Sequence, residues 1–201
     1  MKIEMGESLI YSWLRHEKLC QLVQTNWKVS PFWELENRQD VEALFVICRN
    51  YFLEKHSFDI SKGCSLEQFL KQAEIDGIGI AYSTEAQYIY AVDVAYHEGG
   101  LNYGKKDETI AKIAQKCIRT ALCLYGYFSM STGEVLFVSP KITPAIETAL
   151  VPLFDEISKL LHAHPLNIQA ILHCNDNFSS EATSPVVEKA SAVADTPEPS
   201  T

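Results

Sequence analysis

Between Gly77 and His173 the chain alternates short apolar runs with longer amphipathic ones, and this alternation restricts the fold more than any other feature. Gly77 to Tyr82 and Tyr88 to Tyr96 read as strands. The turn Ser83-Thr84-Glu85-Ala86 between them suits an antiparallel hairpin. A long helix is expected from about Asp107 to Tyr125, with Asp107 as N-cap and Gly126 near the C-terminal end. Glu134 to Val138 is a strand. Thr143-Pro144 starts a helix with proline at its first position, running to about His162, and Ile168 to His173 is a last strand.

The first 73 residues add helices. Leu9, Ile10, Trp13 and Leu14 give an amphipathic helix over about 6–19, and Gln21 to Trp27 alternates as a half-buried strand. Val41, Leu44, Phe45, Cys48 and Phe52 share one face of a second helix. Ser65-Leu66-Glu67-Gln68 has the form of a capping box and starts a short third one. The order predicts an α/β domain with a mixed central β-sheet flanked by helices, and residues 31–73 as a helical insertion.

With 201 residues, 47% of them hydrophobic, the chain can bury the core of a single domain. From Asp176 onward, Ser, Thr, Pro, Ala and Glu dominate, so 176–201 is expected to be a disordered acidic tail and 1–175 the folded domain. That tail holds five acids and one base, a net −4 of the chain's −9, which leaves −5 for residues 1–175. Such a balance argues against a protein that coats nucleic acid non-specifically, though not against a local site. No run approaches the roughly 20 apolar residues that span a bilayer, so no membrane partner is expected. The six cysteines are scattered without a C-x-x-C pair and read as reduced core thiols. A cytoplasmic location is the expectation.

Three carboxylates stand out. Asp93 lies inside the apolar run Tyr90-Ala91-Val92-Asp93-Val94-Ala95-Tyr96, where burial is costly unless a metal, a cation or several donors meet it. Asp76 opens the preceding strand in Ile75-Asp76-Gly77-Ile78-Gly79, whose glycines admit close approach of other chain or a ligand. Glu7 sits at the border of the first helix's apolar face. The hairpin puts Asp76 and Asp93 on neighbouring strands, and converging carboxylates suit Mg²⁺ or Mn²⁺. Each also has a plainer reading: Asp93 as a hydrogen-bonded core acid, Asp76 as a strand-start aspartate, Glu7 as a first-turn acid on the helix dipole.

Together, Gly6-Glu7-Ser8-Leu9 on a helix, Gln24-Thr25-Asn26-Trp27 ending a strand, Ile75-Asp76-Gly77 and Val92-Asp93-Val94-Ala95 resemble the PD-(D/E)XK nuclease-like superfamily. The resemblance implies a restriction-endonuclease-like αβββαβ core over residues 6–138. It also implies metal binding by Glu7, Asp76 and Asp93, and hydrolysis of nucleic-acid phosphodiesters, DNA before RNA. The family's last motif carries a lysine two residues after its acid, and here that position is Ala95. A catalytically inactive interaction module is therefore the alternative function.

His97 shares a strand face with Asp93 and Ala95 and is a candidate base, or a rim histidine. Lys28, Lys105 and Lys106 are stand-ins for the absent lysine, or surface charges. Lys112, Lys116 and Arg119 follow at i, i+4 and i+7. Lys105, Lys106, Lys112 and Lys116 are accordingly candidate phosphate contacts, or the solvated side of a helix. Residues 98–104, rich in glycine beside Asp93, read as a site rim, or as a plain turn. The aromatics Trp27, Phe32, Trp33, Phe45, Tyr51 and Phe52 offer a protein-partner or homo-oligomer surface.

Overall fold

A computed structural model describes residues 2–83, 86–96, 100–101, 103–164 and 166–194. The elements run α1 (Lys2–His16), β1 (Leu22–Lys28), α2 (Arg38–His56), α3 (Leu66–Lys71), β2 (Glu74–Tyr82), β3 (Gln87–Val94), α4 (Lys106–Phe128), β4 (Thr132–Ser139), α5 (Pro144–His162) and β5 (Asn167–Cys174). The sheet order is β1-β2-β3-β4-β5. The first three strands form an antiparallel meander, and β4 joins β3, and β5 joins β4, in parallel. Each parallel step needs a crossover, which α4 and α5 supply. This is an α/β fold with a mixed five-stranded sheet flanked by helices.

Residue chemistry explains the placement. Val135 to Val138 is apolar on consecutive residues and buried throughout, as befits a parallel strand covered on both faces. On one face, Ile10, Trp13 and Leu14 of α1 pack with Val92, Leu136 and Val138. On the other, α2, α3, α4 and α5 bury the larger core, including Phe52, Phe69, Ile118, Phe137 and Leu150. The glycines of β2 are filled by chain: a Cβ on Gly77 would stand 2.9 Å from Ile10 Cγ2, and one on Gly79 would stand 2.7 Å from Cys20 Sγ. All six cysteines are unpaired and five are buried. Among the described residues no helix is long and apolar enough to cross a membrane.

Local readings hold in several places. Ser65 and Gln68 make the capping box of α3, and Pro144 opens α5. At α4 the cap is Lys105 rather than Asp107, because Glu108 reaches back to the Lys105 N–H at 3.1 Å. Gly126 lies inside α4, where Leu35 fills the space a Cβ would need, and Ser129 takes the left-handed closing position instead. Of the aromatics expected as a partner surface, Phe45 and Phe52 are core, while Phe32 and Trp33 are exposed.

The region from Asp176 departs from its expectation of disorder. Asp176–Phe178 (α6), a π-helical turn Ser179–Thr183 and Ser184–Ala194 (α7) are helical. Phe178, Ala182 and Val186, at i, i+4 and i+8, complete the core on the α1 face. The Trp13 indole N–H donates to the Glu181 carbonyl at 2.8 Å, and Lys189 binds the His16 carbonyl. Residues 195–201 lie outside the described residues.

Candidate functional site

The β2–β3 ladder runs to Gly77 opposite Val92, and its register puts Asp76 opposite Asp93 at the next step. There the Asp76 carboxylate replaces the ladder partner: Val94 N–H donates to its Oδ2 at 2.6 Å. Asp93 is 2% exposed. The charge is met from α4, where Lys116 Nζ lies 2.7 Å from Asp93 Oδ1 and Thr120 Oγ1 lies 3.5 Å from Oδ2. Lys116 is thus drawn inward onto a buried acid instead of lying on a solvated face. Arg119, one turn on, is also buried, donating to the Gln72 carbonyl and side chain.

A cleft of about 340 Å³ opens at this end of the sheet, lined by Glu7, Asn26, Asp76, Tyr96, Tyr103 and Lys116 among others. Glu7 reaches it because α1 lies close to the end of β3, with a Cβ on Gly6 only 3.0 Å from Val94 Cγ1. Its carboxylate accepts from Asn26 Nδ2 at 3.0 Å. Asn26 faces Asp76 across the β1–β2 pair but drops out of the ladder, with a left-handed φ of 54°. Asparagine tolerates that conformation better than most residues. Tyr103 closes the α4 side, its carbonyl held by Lys112 Nζ at 3.0 Å.

The electrostatics are uneven. Burial, with repulsion from Asp93 and Glu7, raises Asp76 to about 6 against the pull of the Val94 N–H and Lys116. For Lys116, burial works against the ammonium, but Asp93 outweighs it and holds the group above its ordinary value. The lysine therefore stays charged at neutral pH. Three carboxylates then face one fixed cation.

Of the expected site residues, Glu7, Asp76 and Lys116 line the cleft and Asp93 lies beneath Lys116. Lys105 and Lys106 stand exposed at the head of α4, and Lys28 pairs with Glu74 at 2.7 Å. His97, Glu98, Gly99 and Asn102 lie outside the described residues. The three acids were expected to meet at one ion. Among the described residues, no three His, Cys, Asp or Glu side chains are placed to hold one jointly. Asn26 and Thr120 had no role in the sequence reading. No family model, curated protein or solved structure matches the chain.

Proposed function

We propose that the chain is a divalent-metal-dependent hydrolase of nucleic-acid phosphodiester bonds, with Asp76, Asp93 and Lys116 at its centre. The observation that carries this reading is the placement of two cross-strand aspartates against a charged lysine at the floor of an acid-rich cleft. The order α1-β1-β2-β3-α4-β4, antiparallel through β3 and parallel at β4, supports a restriction-endonuclease-like core. Lys116 supplies from α4 the cation that Ala95, just past β3, cannot supply.

The donor chemistry fits Mg²⁺ or Mn²⁺. Such ions take hard oxygen ligands, and Mg²⁺ commonly uses one or two carboxylates, completing its shell with water and substrate phosphate. Asp76 and Asp93 would hold the ion. When bound, it supplies charge neutralisation at the phosphate and acidifies water. The remaining work belongs to the protein. Lys116, fixed in its charged form, donates toward the phosphoryl oxygen where negative charge grows. Glu7, oriented by Asn26, accepts a hydrogen bond at the cleft mouth and aligns a water. Tyr103 and Lys112 shape the wall through which the strand enters.

The test compares the wild type with Asp76→Asn and Lys116→Met on single- and double-stranded DNA and RNA, with Mg²⁺ and then Mn²⁺. Cleavage by the wild type and a loss of about 10²-fold or more in each variant is expected. Equal activity in all three proteins, or none in any with either metal, overturns the reading. The contact of Lys116 with Asp93 favours a second reading, an inactive module in which the lysine takes the place of a metal. Calorimetry separates the two: Mn²⁺ binding abolished by Asp76→Asn fits the enzyme, and no binding fits the module.

A further inference from the structure

A second concave surface lies where the segment after β1 meets the end of α4. It is a groove of about 430 Å³ lined by Phe32, Trp33, Glu34, Glu36, Tyr127 and Phe128. Trp27, 1% exposed, anchors the aromatic cluster behind it. Its ring centroid lies 5.7 Å from Trp33 and 5.4 Å from Phe128, and that of Trp33 lies 6.2 Å from Tyr127. The groove is built before any ligand arrives. Glu36 N–H donates to the Gly126 carbonyl at 2.9 Å, and Asn37 Nδ2 to the Tyr125 carbonyl at 3.2 Å.

Three independent features give this surface one electrostatic sign. Aromatic faces carry negative quadrupole charge and attract cations. Among the described residues, the ionisable groups lining the groove besides Tyr127 are the two glutamates. The C-terminus of α4, the negative end of its dipole, ends at the groove, and its last turn holds no basic residue. Arg38, the base whose charge bears on Tyr127, is bound to Glu42 and Glu67 at 3.3 and 2.8 Å. A phosphate or a nucleic-acid backbone would be repelled here.

We propose that this groove docks a basic segment of a partner protein, seating an arginine or lysine head group against Trp33 and Tyr127 and beside Glu34 and Glu36. The rim favours a chain over a free small cation. Phe32 is 91% exposed and Trp33 50%, an apolar edge that flanking residues of a peptide would cover. The site is separate from the carboxylate cleft and shares none of its lining residues.

The test follows the indole N–H resonances of the three tryptophans during titration with tetramethylammonium, with its neutral isostere tert-butanol, and with a short arginine- and lysine-containing peptide. Saturable shifts at Trp27 and Trp33 are expected with both cations, with Trp13 unmoved. The peptide is expected to bind more tightly than tetramethylammonium, and tert-butanol about tenfold more weakly than either. Glu34→Gln with Glu36→Gln, at the surface, should weaken the peptide several-fold, and Phe32→Ala, which removes an exposed ring, should do so without unfolding. Equal shifts with tert-butanol overturn the proposal, as does no shift at Trp27 or Trp33 with any cation. Tetramethylammonium binding more tightly than the peptide overturns the protein partner.

Discussion

Two lysine–carboxylate pairs on opposite faces of the sheet, Lys18–Glu134 and Lys116–Asp93, are built to different ends. On the α1 side, Lys18 lies 3.5 Å from Glu134, with the Trp13 and Tyr90 rings 5.0 and 5.1 Å from its ammonium. Tyr88 O–H donates to the other Glu134 oxygen at 3.2 Å. One cation meets one anion, and aromatic rings enclose them. On the α4 side, Lys116 and Asp93 are closer, at 2.7 Å, yet Asp76 and Glu7 add negative charge beside them, and among the described lining residues Lys116 is the one base. The first pair is balanced in charge. The second is over-supplied with negative charge and open to a cleft, which is the condition for taking up a cationic or metal-bridged ligand.

This contrast can be broken by substitution. The largest effect is expected from Asp93→Asn, which removes the one carboxylate in direct contact with the Lys116 ammonium, at 2.7 Å. Loss of such a partner costs about 3–5 kcal/mol for a fully buried pair. The Lys116 side chain is 35% exposed, so a loss of about 2–3 kcal/mol in urea unfolding is expected. An unchanged midpoint would remove Asp93 from the structural role given it here.

Asp76→Asn should act in the opposite direction, stabilising the metal-free protein by about 2 kcal/mol at pH 7. The sign follows from protons bound. Asp76 sits at about 6 in the folded chain against 3.8 as a free group, so between those values the folded state holds more protons than the unfolded. Its contribution is present below about pH 4 and is lost as pH rises through 6. Wild type and variant should match at pH 4, diverge through pH 6 and stay apart above it. Parallel stability curves across that range would show that Asp76 carries no excess charge.

The smallest effect belongs to the balanced pair. Glu134→Gln keeps an acceptor for Tyr88 and leaves Lys18 on its rings, so thermal unfolding should register a loss of only about 1 kcal/mol. A loss as large as that of Asp93→Asn would mean that the two faces are not different in kind.

Much of the scaffold is written locally. Ser65 with Gln68, Thr143 before Pro144 and the unbroken apolar run of β4 each specify their element through neighbouring residues. The opposition of Asp76 and Asp93 follows from the hairpin alone. Lys116 does not, because its partner is fixed by how the crossover helix lies across β3. A clue was present: Lys116 stands among Ile113, Cys117 and Thr120, all buried, where a base needs an acid. Asn26 was equally hidden, since a left-handed residue within a strand has no periodic signature. The spacing of Phe178, Ala182 and Val186 was legible but was outweighed by polar composition, which reports average burial and not which face is buried.

The hydrogen bond from Trp13 to Glu181 joins residues 168 apart in sequence. During synthesis, at roughly 5–20 residues per second, α1 emerges many seconds before its outer cover exists. The helix that carries Glu7 thus waits longest for its last packing partner. A nascent chain halted before Phe178 has a hairpin and a lysine but an α1 that is covered on one side only. Completion of the cleft is coupled in this way to the arrival of residues 178–189, and a truncation near residue 178 should be felt at Glu7, whose neighbour Gly6 packs on the Tyr96 that Phe178 meets.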